Sequence, residues 1–337
     1  SLGTGMLSIF LPNLAIVALV VPVTVNVAEM SELDPVPFVI MESIMSGIGS
    51  AMTMITNPPN VIIGQAFADQ GVTMNTFLDN VGVGCLITMP FVLFGMKFLF
   101  PSIYNSEGTE VDVEALKRKY PISDPELLKV TMIILVAVIT MMFLSPLHGL
   151  DSSWFAFGGA MVLLLLVYPK NISGMMMRID WDTFFYLAGL FVLVEACNRM
   201  RLINEMGVQL SNLIEMAPKE YTFPVAIMSI LWVVSVVSAF LDTIPLCIAL
   251  TKVIAVIAAR LHLPLPPLAW ALAFSACLGQ NATIVGSANN VVAVSLTEKS
   301  GYTITTWQWV KVGVPVVLIT QVVISVYMYF RYVVVAE

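Results

Sequence analysis

GSAMTMITNPPN at residues 49–60 and GQNATIVGSANN at residues 279–290 are the two stretches on which the fold turns. Each interrupts apolar sequence with glycine, asparagine, threonine or proline, where an unbroken membrane helix would carry apolar side chains. Gly49, Thr53 and Asn60 recur as Gly279, Thr283 and Asn290, an offset of 230 residues. The same offset carries Ser8, Phe10 and Leu11 onto Ser238, Phe240 and Leu241. It also carries Gly71, Thr73 and Thr76 onto Gly301, Thr303 and Thr306. One ungapped register from Ser8 to Thr76 serves all these positions, so the chain contains an internal repeat.

The surrounding sequence says what solvent the repeat sits in. Of 337 residues, 58% are hydrophobic and 11% charged, with mean hydropathy +0.92. A soluble domain carries about 45–50% apolar and about 25% charged residues, so most of this surface must face lipid. Apolar runs at 80–100, 128–147, 153–168, 181–198, 221–241 and 308–330 approach the ~20 residues that a helix needs to span hydrocarbon. Strand-type alternation is lacking, which argues against a barrel. The expectation is an all-α polytopic protein integral to the plasma or inner membrane, or to an organellar membrane in a eukaryote. The net charge of −7 says little, because those charges sit in loops facing water; no nucleic-acid partner is expected.

Exposed irregular backbone is not tolerated in hydrocarbon, so the two interruptions must line protein or a water-filled cavity. Paired breaks at matching positions of two halves point to a transporter binding site. Each copy also has a polar tip between apolar runs, FLPN at 10–13 and FLDT at 240–243, read as re-entrant hairpins. The expected organisation is a first repeat at 1–100, a cytoplasmic linker at 101–127 and a second repeat at 128–337. The second copy reads as five crossings plus one hairpin. An odd number of crossings inverts the related copy, which makes this an inverted-repeat secondary transporter with discontinuous helices. Position 128 shifted back by the offset falls about a hundred residues before Ser1, so the first repeat is expected to be N-terminally incomplete. With the linker inside, Lys97, Lys117, Arg118, Lys119, Lys129, Lys170, Arg178, Lys299 and Lys311 lie on the cytoplasmic side. Arg199, Arg201, Lys219, Lys252, Arg260 and Arg331 then lie outside, a modest positive-inside bias.

The candidate site follows from the breaks. Asp242 is an acid within apolar sequence, where insertion costs about 2.5–3.5 kcal/mol unless the group faces a cavity. It is a candidate to bind Na⁺ or carry a proton, or to cap the helix that follows. Thr53, Thr56, Asn57, Asn60, Asn281, Thr283, Ser287, Asn289 and Asn290 supply hydroxyl and amide groups at the breaks. Asn13 and Thr243 do so at the tips. Pro58-Pro59 removes two amide donors and enforces the first break. Asn13 and Asn57 are expected in one half-site, with Asp242 and Asn281 in the other. Glu42, in an apolar run before Gly49, is a second candidate coupling acid, or the partner of a loop cation.

Other features read as structural. Glu195 and Arg199 are four apart and can pair on one helix. Cys85, Cys197, Cys247 and Cys277 lie in apolar runs with no CxxC and no nearby histidine, as small buried side chains do. His148 and His262 have no assigned role. The glycosylation patterns at Asn171 and Asn281 read as accidental. GIGSAMT follows no strand and is no nucleotide loop. No Walker motif occurs, so energy should come from an ion gradient or a separate ATPase.

The motifs resemble the ion transporter superfamily, in its branch of arsenite permeases, NhaD-type sodium/proton antiporters and P proteins, with a citrate transporter-like domain. DPVPFVIMESIMSGIGSAMTMITNPPNVIIG (34–64), WDTFFYLAGLFVLVEA (181–196), SAFLDTIP (238–245) and ACLGQNATIVGSANNVV (276–292) carry the resemblance. Where the family pairs Asp with Asn at each tip, this chain has Pro12-Asn13 and Asp242-Thr243, and Asn57 replaces an Asp of the first break. The resemblance implies a secondary carrier of a small inorganic ion or oxyanion-like solute, of arsenite/antimonite-export or sodium/proton-exchange type, and not an enzyme. The implied coupling ion is H⁺ or Na⁺, with no other cofactor. The alternatives are a di- or tricarboxylate carrier and a channel-like anion conductance. The bilayer, the solute, a second copy as homodimer and a separate ATPase are the compatible partners.

Overall fold

A computed structural model describes residues 1–99, 125–144, 152–167, 174, 177 and 181–334, with no strand among them. The greater part of the linker at 101–127, His148 and the Asn171 pattern lie outside the described residues. The helices of the first copy are α1 (Leu2–Leu7), α2 (Asn13–Met30), α3 (Pro35–Ala51), α4 (Pro58–Ala66) and α5 (Met74–Leu99). Next come α6 (Pro125–Phe143), α7 (Ser152–Val167), α8 (Trp181–Arg199) and α9 (Leu202–Glu215). The chain continues through α10 (Thr222–Ser238), α11 (Thr243–Leu261), α12 (Leu265–Gly279), α13 (Ala288–Lys299) and α14 (Thr306–Tyr329).

Local chemistry sets the boundaries. α3 starts at Pro35, whose missing N–H is no loss in a first turn, and Asp34 accepts the Val36 N–H at 3.0 Å. Thr305 and Gln308 form a reciprocal capping box at the start of α14. α2 and α11 both close with a 6→1 hydrogen bond, Leu33 N–H to Ala28 O and Leu263 N–H to Ala258 O. The residues between take left-handed conformations, Glu32 at φ 56° and His262 at φ 50°. The short turn after α4 (Ala68–Gln70) and the end of α13 close the same way through Gly71 at φ 84° and Gly301 at φ 91°, with Val72 N–H bonded to Phe67 O and Tyr302 N–H to Thr297 O.

These pairs are all 230 residues apart, and so are the starts of α2 and α11, α3 and α12, and α4 and α13. The repeat read from sequence therefore extends to helix boundaries and caps. It includes close backbone approaches. A Cβ on Gly49 would lie 2.0 Å from Gly5 O, and one on Gly279 would lie 2.5 Å from Ser235 O.

The chain forms two compact units. In the smaller, α6 packs on α7, and a Cβ on Gly159 would lie 2.2 Å from the Val138 side chain. In the larger, the discontinuous helices form the centre. Val39 to Ala51 of α3 and Pro267 to Gly279 of α12 are buried without a gap. A helix covered on every side needs no polar face. Around them large apolar side chains point outward, including Phe98 at 71% and Leu19 at 67% exposure, as a lipid-facing surface requires.

α2, α5, α11, α14 with the turn that extends it to Val334, and α6 as far as Met142 are long and apolar enough to cross a membrane. The chain is an all-α integral membrane protein. α11, read from sequence as the returning arm of a hairpin, has a 19-residue apolar length sufficient for a crossing, because 1.5 Å per residue brings it close to the hydrocarbon thickness.

Candidate substrate and ion site

The first break runs from the end of α3 to the start of α4. Pro58 holds Asn57 extended at φ −131°, ψ 119°, since a residue before proline avoids the helical region. The matching residue of the second break, Ser287, is extended at φ −148°, ψ 140° with no proline after it. There the Ser287 hydroxyl accepts the Asn289 N–H at 3.3 Å and starts α13 instead. Two different local devices give one backbone shape.

Asparagines close the carbonyl ends that the breaks expose. Asn60 Nδ2 donates to Ala51 O at 3.1 Å and Thr53 O at 2.9 Å. Asn290 Nδ2 donates to Gln280 O at 3.1 Å and Thr283 O at 2.9 Å. Threonines tie each break to its hairpin tip. Thr53 donates to Ile9 O at 3.0 Å, and Thr283 donates to Ala239 O, the position one offset away. Thr56 donates to Ser50 O at 3.0 Å and lies 2.9 Å from the Thr53 hydroxyl. All of these residues are buried.

The tips repeat the theme with different side chains. Asn13, first residue of α2, donates from Nδ2 to Ser50 Oγ at 3.1 Å, and Ser50 donates on to Gly47 O at 3.0 Å. Thr243, first residue of α11, donates to Gln280 Oε1 at 3.2 Å. Asp242 is half-buried and accepts the Ile244 N–H at 2.9 Å. The capping role foreseen for it is therefore occupied by Oδ1.

The structure interleaves the two halves where sequence reading separates them. Asn57 Nδ2 donates to Cys277 Sγ at 3.3 Å, and that thiol donates to Asn60 Oδ1 at 3.0 Å. In the other direction Ser43 donates to Asn290 Oδ1 at 3.0 Å. Asn281 lies against α3, its Oδ1 2.6 Å from where a Gly47 Cβ would be, and its carbonyl accepts Trp309 Nε1–H at 3.1 Å. Asn57 and Asn281 thus face the opposite copy. Because α3 and α12 pack together, a short polar side chain at one break reaches the neighbouring broken helix before its own tip.

Glu42 makes its side-chain contacts with α2 rather than with either break. Its two carboxylate oxygens lie 2.8 and 2.7 Å from the Thr24 hydroxyl of α2. Glu195 pairs with Arg199 at 3.3 Å, as its spacing suggests, and also with Lys252 of α11 at 2.9 Å. Sequence reading did not single out Ser43, Ser50, Cys277 or Gln280. The offset could have found the last, since it pairs Gln280 with Ser50 just as it pairs Thr243 with Asn13.

Comparison with known proteins agrees with this architecture. The profile described as "Citrate transporter" matches residues 1–274. The mouse P protein is 30% identical over 99% of the chain and 49% of its own length. For the human P protein the figures are 30%, 98% and 48%, so the chain spans about half the length of these relatives. An uncharacterized transporter of Mycobacterium tuberculosis is 29% identical over 98% of the chain and 76% of its own length.

Proposed function

The chain belongs to the citrate transporter family, and we propose that it is a secondary carrier of a small inorganic ion or oxyanion-like solute, driven by H⁺ or Na⁺. One observation carries this reading: two discontinuous helices meet at the centre of the larger unit, their breaks lined by buried hydroxyls and amides, while one half-buried carboxylate stands at the second hairpin tip. Paired broken helices are how membrane carriers place polar ligands at mid-depth. Asp242 is the one carboxylate at the two tips and supplies the charge that a coupling cation or proton needs. In this reading the two copies are related by inversion, and the solute meets the tips and breaks from either side in turn.

Arsenite or antimonite export and sodium/proton exchange are the two forms considered first. A di- or tricarboxylate carrier is the second reading, favoured by the citrate transporter match and by the lack of an acid at the Pro12-Asn13 tip. Proteoliposomes holding the full-length protein, given an imposed Na⁺ or pH gradient, decide among them. Gradient-driven flux of arsenite, of Na⁺ against H⁺, or of citrate identifies the form. Flux that ignores the gradient replaces the carrier with a conductance, and no flux of any of them overturns the proposal.

A further inference from the structure

Among the described residues, three buried side-chain atoms have no hydrogen-bond partner: Nε2 of Gln280, and Nε2 and Oε1 of Gln321. Gln280 is the one inside the site. It is 2% exposed, and its Oε1 accepts the Thr243 hydroxyl at 3.2 Å. That bond orients the amide and leaves the Nε2 N–H groups over. A buried donor with nothing to donate to is a cost that native structures seldom carry without a reason.

The first copy shows how the same contact closes when nothing is to be left over. There the tip carries the amide and the break carries the hydroxyl. Asn13 donates to Ser50, and Ser50 donates to Gly47 O. In the second copy the two groups have changed places. The tip hydroxyl donates, the break amide accepts, and the surplus N–H groups fall in one half only.

Several other donors at the breaks and tips are committed or missing. Pro58 and Pro59 have no N–H. Asp242 holds the Ile244 N–H, and Ser287 holds that of Asn289. Asn60 and Asn290 direct Nδ2 at backbone carbonyls, and Asn57 directs its own at Cys277. An amide nitrogen offers only donors, so the complement of Gln280 Nε2 is an acceptor oxygen, and a cation is disfavoured there.

We propose that Gln280 Nε2 donates to an anionic oxygen of the transported solute, so that the second break reads a carboxylate or oxyanion. This rests on the carrier reading above and selects, within it, an anionic solute. The probes are radiolabelled citrate and inorganic phosphate, with ²²Na⁺ and uncharged arsenite as counter-probes, on the full-length protein in proteoliposomes. Wild type should carry at least one of the two anions. Gln280→Met, close in shape but without a donor, should raise the KM for that anion about tenfold, the effect of one hydrogen bond. Gln280→Glu should raise it further by placing a carboxylate against the anion. Anion flux with an unchanged KM in Gln280→Met overturns the inference and leaves the carrier intact. So does a wild type that moves Na⁺ or arsenite but neither anion. A wild type that moves none of the four overturns both.

Discussion

Asn60 and Cys277 belong to different copies of the repeat and share a hydrogen bond, the thiol donating to Asn60 Oδ1 at 3.0 Å. Asn290 accepts from Ser43 across the same boundary at the same length. Each asparagine also directs Nδ2 onto the carbonyls of its own break. One amide thus closes a broken helix end and fastens it to the other copy.

Asn60→Ala and Asn290→Ala should therefore be costly to similar degrees. Each strands buried carbonyls, at about 1–3 kcal/mol for an unsatisfied group. Melting of the detergent-purified variants measures this. A loss at one position with none at the other would mean that the pairing of the two breaks is not shared in energy.

Glycines at matching positions separate two kinds of cost. Gly49→Ala and Gly279→Ala place a methyl 2.0 Å from Gly5 O and 2.2 Å from Ser238 Oγ, with further backbone close behind both. Both should lose more than about 3 kcal/mol, the upper range for overpacking, and fail to accumulate in the membrane. Gly71→Ala meets no atom within 4 Å and has only its left-handed φ of 84° to contend with, about 1–2 kcal/mol. It should accumulate normally with a modestly lower melting temperature.

Asp242→Asn keeps an oxygen to accept the Ile244 N–H, and asparagine caps about as well as aspartate. It should melt like wild type yet lose coupling to the imposed Na⁺ or pH gradient, because a neutral amide cannot exchange charge. Asp242→Ala should lose coupling and also about 0.5–2 kcal/mol of stability with the cap. Glu42→Gln keeps an acceptor for Thr24 and should be milder in flux. Full gradient-driven flux in Asp242→Asn would assign the carboxylate to capping alone.

Gln321 lies within α14, 1% exposed, with both polar side-chain atoms unpartnered. Gln321→Met fills the same space without a polar group and should raise the melting temperature, by relief of about 1–3 kcal/mol of unsatisfied desolvation. A lower melting temperature would show that the amide is satisfied in the working protein.

Membrane residence, an all-helical fold and the repeat were all legible in the sequence, because each depends on composition or spacing. Lipid demands apolar stretches of about 20 residues, and a repeat that keeps one register can be read by sliding the chain on itself. The positions of Thr53, Asn60, Thr283 and Asn290 were legible for the same reason. Asp242 stood out because an acid in apolar sequence is rare, though its bond to the Ile244 N–H needed coordinates to see.

What sequence could not supply was partnership across the repeat. Cys277 reads as one more small apolar residue until packing sets it between Asn57 and Asn60. Gln280 is one polar residue among several until Thr243 takes its oxygen and leaves its nitrogen over. Spacing along the chain records which residues a helix brings to one face. It holds no record of how α3 lies against α12, and a hydrogen bond between residues more than 200 positions apart is decided only when those surfaces meet.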